Sequence, residues 1–359
     1  SFEKMRDGTA PCWQRLVAAR SRSRPRRSPH SVETMRGPPV VYDNVFSPSA
    51  RLYLHTAASI GSLGDEQHTV FDRALPPRTV LETALSSVLE ELGDDSPHVE
   101  YWWRDSWEMV DAHADVDEYG FEDHGKLCYP EHAHVLYLAV GPSVEGPTAV
   151  WEPVEGSTNS GADAFGSLTI VPARQGRLLR FEGDCMHAVP RPADVWLQHR
   201  FDGTDGTNVW LSSADLPVEV EAEVGPPPAA HDLTRSVVLF NTWSYAPFEV
   251  DTAPATDPLE VVKEFAADFG GDAVGDVVAI LSSPDARCQP VDQWRRTSPQ
   301  VVAADSAADT AAAERTRLRV RLMGKTERHA HTEDSIELPA PAGLRDALVE
   351  PSAVTSFSS

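Results

Sequence analysis

The sequence predicts a mainly β protein with flanking helices (α+β), and three observations carry that prediction. Between residues 98 and 243, short apolar or alternating runs follow one another, separated by Gly, Pro, Asp and Asn turns. That spacing is the signature of a sandwich, barrel or jelly roll. Helical periodicity is confined to the flanks, and 359 residues suffice for one large β-rich domain with extensions or for two ordinary domains.

Residues 19–27, Ala-Arg-Ser-Arg-Ser-Arg-Pro-Arg-Arg, are basic, Ser-rich and acid-free. Organellar transit peptides and disordered tails share this composition; because it cannot build a core, residues 1–38 are expected to be disordered. A first strand is expected over residues 39–46, closed by a Ser-Pro turn. Residues 79–92 form a predicted helix: Leu81, Leu85, Val88 and Leu89 fall at helical spacing and Gly93 ends it. Strands follow at residues 99–103, 107–113, 133–140, 148–151, 167–171, 177–181, 195–199, 208–211 and 236–243. Beyond them the pattern predicts a helix over 258–269, a strand over 274–282, an Ala/Asp-rich linker over 301–314 and a strand over 315–323. The expected organisation is a leading segment to residue 38, a β domain over 39–245 and an extension over 246–359.

The formal charge of −24 and a pI near 4.8 repel phosphate backbones and anionic lipid, so no nucleic-acid partner is expected and a small or cationic substrate fits better. No run approaches the roughly 18–20 apolar residues of a membrane span, so a soluble protein is expected. Cys12, Cys128, Cys185 and Cys288 are scattered, with neither zinc-ribbon spacing nor the density of a disulfide scaffold. This favours a reducing, intracellular compartment over secretion, and the basic segment is compatible with an organelle.

Along residues 107–113, period two places Trp107, Met109, Asp111 and His113 on one strand face, and Asp115 returns to it one spacer later. His187 follows a Gly183-Asp184 turn at the end of the 177–181 strand, which brings it back from a neighbouring strand. Two imidazoles and one carboxylate on one face of an ion suit non-haem Fe(II) and leave positions open for chemistry. A lone His-x-Asp recurs by chance as a surface turn in a chain with 13 histidines; the second, suitably placed His is what raises the signal. His132-Ala133-His134 is similar to the His-x-His of cupins, but the Glu that should follow is absent. Cys185 reads as a buried thiol, and His329 and His331 as a solvated loop.

Over residues 40–243 the chain resembles the 2-oxoglutarate and Fe(II)-dependent dioxygenases of the prolyl-4-hydroxylase-like group. The resemblance rests on the strand opening at Val40, on His113-Ala114-Asp115, on residues 135–138 followed by 146–150, on the Gly183-Asp184 turn before His187, and on Arg235 heading the last core strand. It implies a double-stranded β-helix (jelly roll) in which His113, Asp115 and His187 bind Fe(II). Arg235 and Tyr137 would hold the distal carboxylate of 2-oxoglutarate, a role that suits the planar guanidinium fork. It further implies O2 as co-substrate, ascorbate as a supporting reductant, and hydroxylation of a small-molecule or peptidyl, amino-acid-like substrate.

Family members place the basic residue about ten positions after the distal His, where this chain has Arg200, a rival to Arg235. Trp103, Trp151 and Arg191 are candidates to line the substrate pocket. Two other readings stay open: a non-catalytic double-stranded β-helix that binds a ligand, and a cupin-type metalloenzyme that needs no 2-oxoglutarate.

Overall fold

Two β-sheets with a shared apolar interior frame the site in this computed structural model. The structure describes residues 37–61, 69–107, 110–117, 120–121, 127–142, 144, 146–153, 165–189, 207–209, 234–247, 271–282, 286–302, 317–321, 335–339, 344, 347 and 352–357. In chain order the first strands are β1 (Val40–Asp43), β2 (Thr69–Asp72), β3 (His98–Ser106), β4 (Val110–His113), β5 (His132–Val140) and β6 (Thr148–Pro153). Next come β7 (Phe165–Val171), β8 (Leu178–Glu182), β9 (Met186–Val189), β10 (Thr207–Val209) and β11 (Thr234–Trp243). The last are β12 (Arg295–Thr297), β13 (Gln300–Val302), β14 (Arg317–Arg321), β15 (Ser335–Pro339) and β16 (Thr355–Phe357). The described helices of more than one turn are α1 (Pro48–Gly61), α2 (Val80–Leu92) and α3 (Gly271–Leu281).

One sheet has the order β12-β1-β8-β5-β11-β3-β2 and the other β13-β16-β7-β6-β9-β4; β10, β14 and β15 form a small third sheet. From β3 to β11 the chain passes back and forth between the two larger sheets, so that β3-β11-β5-β8 in one and β4-β9-β6-β7 in the other make the winding of a double-stranded β-helix. Strand alternation fills the space between them. Ala133, Val135 and Tyr137 of β5 and Val237 of β11 meet Val150 and Val171 of the other sheet in one cluster. The alternate residues Leu136, Leu138, Val238 and Phe240 point the other way, against α1 and α2.

Gly93 ends helix α2 as expected, with a left-handed φ of 68° that a side chain would strain; Thr79, expected as the first helical residue, is instead the cap, accepting the amide N–H of Glu82 at 2.9 Å. Helix α1 was not foreseen. Ser47 caps it by accepting the Ala50 amide N–H at 3.1 Å, and Pro48 stands at the first helical position, where its missing N–H does no harm. Its Ala50 and Leu54 join the helix-side cluster.

The predicted strand over 274–282 is instead part of helix α3. Val277 and Leu281, four apart, pack on Ala57 and Ile60 of α1, and a short apolar run fits either period until tertiary contacts decide. The expected elements over 195–199 and 258–269, and nearly all of the leading segment, lie outside the described residues. From the last third of the chain, β12 pairs with β1, and β16 pairs with β7; residues 37–359 cluster as one unit.

A buried ion pair locks the end of the larger sheet. Arg177, 1% exposed, donates from Nε to Asp43 Oδ1 at 2.7 Å and from Nη2 to Oδ2 at 3.1 Å; Arg295 and Thr297 also donate to Oδ2. Burial alone pushes the Asp43 carboxyl up, but these donors outweigh it and hold the group at about 2.

Candidate metal centre

The last residue of β4, His113, lies directly opposite His187 of β9, and His187 is opposite Val150 of β6 on its other side. Asp115 follows β4 by two residues. All three side chains are buried, and the ring centroids of the two histidines are 4.2 Å apart. His113 Nε2 is 3.6 Å from Asp115 Oδ1, and His187 Nε2 is 3.9 Å from Oδ2. Donors held about 2.0–2.2 Å from one ion are at most about 4.4 Å apart; these distances fit a shared ion with small adjustments.

The donors are also prepared for it. His187 Nδ1 faces the Cys185 carbonyl at 3.4 Å, which places its proton there and turns the Nε2 lone pair toward the triad. Phe181 packs 5.1 Å from the same ring. Cys185 thus serves through its carbonyl, while the residue packs in the inner core.

Asp115 is held from the opposite sheet. Asn241 Nδ2 donates to Asp115 Oδ2 at 3.1 Å and lies 3.4 Å from Glu100 Oε2, which also accepts Trp243 Nε1–H at 3.1 Å. Asn241, six residues after Arg235 and so at the same strand phase, is a site residue that sequence reasoning missed. The available signal was a polar side chain at an inward phase of an apolar strand.

Arg235, near the start of β11, is 4% exposed. Its Nη2 donates to Thr148 Oγ1 at 2.8 Å and reaches Tyr137 OH at 3.4 Å, and the two hydroxyls are 2.6 Å apart. The guanidinium carbon stands 5.2 Å from the Tyr137 ring centroid. Its Nε is buried without a partner, and among the described residues no carboxylate pairs with it. Arg177 shows how this chain neutralises a buried guanidinium when its role is structural. A desolvated cation beside two hydroxyls, with one donor unused, has the chemistry to accept an anion.

Two of the three pocket candidates do not reach this interior. Trp103 pairs with Val238, hence lies on the helix side of β3, where its Nε1 donates to Ser236 Oγ at 2.9 Å beside His55. Trp151 is opposite Met186, one residue out of phase with His187, and packs with Leu168, Ile170 and Leu344 on the outer face of the smaller sheet. The strand period sends both away from the metal side. The inward position on β3 belongs to Trp102, opposite Leu239 and two residues from Glu100.

Arg191 and the rival anchor Arg200 lie outside the described residues. His132 and His134 share the helix-side phase of β5. His134 stacks on Phe240 at 4.2 Å, and burial, with Arg180 and His132 nearby, pushes its imidazole well below the usual histidine range.

Fold and site together define a double-stranded β-helix with a buried two-histidine, one-carboxylate centre. No protein-family model matches the sequence and no curated protein does so either. Solved structures similar to this chain include a Pseudomonas putida prolyl-4-hydroxylase, 11% identical over 59% of this chain and 90% of that one, with a TM-score of 0.33. They also include EctD from S. alaskensis with 2-oxoglutarate and 5-hydroxyectoine (14% identity, 62% and 86% coverage, TM-score 0.33). A third is HygX from Streptomyces hygroscopicus with nickel and 2-oxoglutarate bound (12%, 59% and 85%, 0.30). At this level of likeness, function has to be argued from the chain's own residues.

Proposed function

We propose that this chain is an Fe(II)- and 2-oxoglutarate-dependent oxygenase that hydroxylates a C–H bond of a small-molecule or peptidyl, amino-acid-like substrate. The observation that carries this reading is the pairing of two features inside one jelly roll: a buried His113, Asp115, His187 triad and a buried Arg235 whose Nε has no partner and which meets no carboxylate among the described residues. A metal triad alone suits many chemistries. A guanidinium beside two hydroxyls, with Nε unused and no carboxylate among the described residues, adds the demand for an anionic co-substrate.

His113, Asp115 and His187 would hold the iron, a donor set that suits non-haem Fe(II). Arg235 would take the distal carboxylate, using the unpartnered Nε with the adjoining terminal nitrogen as a fork, while the hydrogen-bonded Tyr137–Thr148 hydroxyl pair offers its one remaining proton. Val135, Val150 and Phe181, packed together between the sheets, supply an apolar wall that keeps water from the centre. When bound, iron and 2-oxoglutarate supply the oxidising chemistry with O2, releasing succinate and CO2, so no protein acid or base is required.

The test is succinate release from 2-oxoglutarate by protein loaded with Fe(II) and ascorbate under air, paired with 2-oxoglutarate binding to Mn(II)-loaded protein. Metal-dependent binding with iron-dependent succinate formation is expected. Metal binding without 2-oxoglutarate binding points to the cupin-type alternative, and loss of neither activity on chelation overturns the reading.

A further inference from the structure

The support beneath Asp115 is a continuous buried chain. Asn241 is 1% exposed, and its amide nitrogen meets two carboxylates, Asp115 Oδ2 at 3.1 Å and Glu100 Oε2 at 3.4 Å. Only the nitrogen end of an amide can face two carboxylates, so chemistry fixes its orientation. Glu100 is directly opposite Asn241 across the β3–β11 pair, and Trp243, two residues further along the same face of β11, donates to it at 3.1 Å. Trp243, Glu100, Asn241 and Asp115 therefore form one line of contacts ending on the carboxylate of the triad.

We infer that Asn241 and Glu100 are positioning residues for the metal: the amide holds Oδ2 of Asp115 and turns its other oxygen toward the ion, while Glu100 aims the amide and balances the ion's charge. The inference rests on the metal reading above. Two neutral imidazoles and one carboxylate leave a divalent ion with an excess positive charge in a buried site. The formal charges of Asp115 and Glu100 together match it. Partners that orient a ligand in this way commonly affect metal affinity by about 10- to 100-fold.

The experiment titrates Co(II) into the apo full chain by chelator competition, records the visible spectrum of the Co(II) form, and measures apo melting separately. Asn241→Leu should weaken Co(II) binding by about 10- to 100-fold and change the ligand-field bands. Glu100→Gln, which keeps an acceptor for Trp243 and Asn241 but removes the charge, should weaken it by about 10-fold; it carries the test if Asn241→Leu does not fold.

A network with a purely structural role would lower the melting temperature and leave both affinity and spectrum of the folded protein at wild-type values. That result in either folded variant overturns the inference. His113→Ala separates the two levels. If it still binds Co(II) like wild type, the metal reading itself is wrong; if it loses Co(II) while the two positioning variants keep it, only the positioning role is wrong.

Discussion

Two buried arginines differ in one respect, and replacing each by methionine separates their roles. Arg177 grips Asp43 with two hydrogen bonds; Arg235 meets hydroxyls and a ring, with its Nε unpaired. Arg177→Met strands a buried carboxylate, a loss of about 3–5 kcal/mol, and the lower end is expected because Arg295 and Thr297 still hold Oδ2. Arg235→Met forfeits a charge-assisted hydrogen bond of about 1.5–3 kcal/mol and a cation–π contact of up to about 2 kcal/mol. It also relieves an unsatisfied donor, about 1–3 kcal/mol, and part of the desolvation of an unpaired ion.

For Arg235→Met these contributions offset to within about 1 kcal/mol. At about 1.5 °C per kcal/mol for a unit of this size, Arg177→Met should melt about 4–5 °C below wild type and Arg235→Met within about 2 °C of it. Adding 2-oxoglutarate at about 100 times its Kd to Mn(II)-loaded protein stabilises wild type and Arg177→Met by about 2.7 kcal/mol. Arg235→Met should gain nothing. Scanning calorimetry reads both effects. If Arg235→Met melts as low as Arg177→Met, its guanidinium has a structural partner and the anion-site reasoning is refuted. If 2-oxoglutarate still raises its midpoint, the anchor lies elsewhere, with Arg200 and Arg191 next to test.

Three more expectations are sharp enough to check. His113→Ala or Asp115→Ala should abolish iron retention after desalting, and iron per chain at the wild-type level would refute the triad. Because the donors around Asp43 lower its folded carboxyl to about 2, its contribution is complete above the ordinary carboxylate range and is lost as pH falls from about 4 toward 2. Between pH 5 and pH 2, wild type should therefore lose on the order of 2 kcal/mol more unfolding free energy than Asp43→Asn in urea melts, and equal losses contradict this. Trp103→Phe should cost about 1 kcal/mol through its lost hydrogen bond to Ser236 and leave Co(II) quenching of tryptophan fluorescence intact, whereas Trp102→Phe should reduce the quenching; the reverse pattern would mean that β3 has the opposite phase.

Features governed by local rules were readable in the sequence. The Gly93 end of α2, the alternation of β5 and β11, and the even spacing from His113 to Asp115 each follow from backbone period or turn chemistry within a few residues. Misreadings arose where the outcome depends on a distant partner. The run ending at Leu281 is helical because α1 offers Ala57 and Ile60, and α1 itself was hidden behind a Ser-Pro pair read as a turn. Trp103 and Trp151 were chosen for type and proximity, while the register of their strands decides which side of a sheet each faces. Asn241 and Thr148 gained meaning only once Asp115 and Arg235 were placed beside them, since neither belongs to a local motif.

Strand β11 lies between β5 and β3, paired on both sides, and carries Arg235 and Asn241 at the same phase. Insertions and deletions consequently meet two very different tolerances in this chain. His187 and Arg235 are set by separate strands, β9 and β11, that belong to different sheets, so no strand period links the position of one to that of the other. A single residue gained or lost between Arg235 and Asn241 would instead turn one of the two to the helix side of the sheet. Divergence among chains built this way should therefore preserve the even interval within β11 while the interval leading up to it drifts.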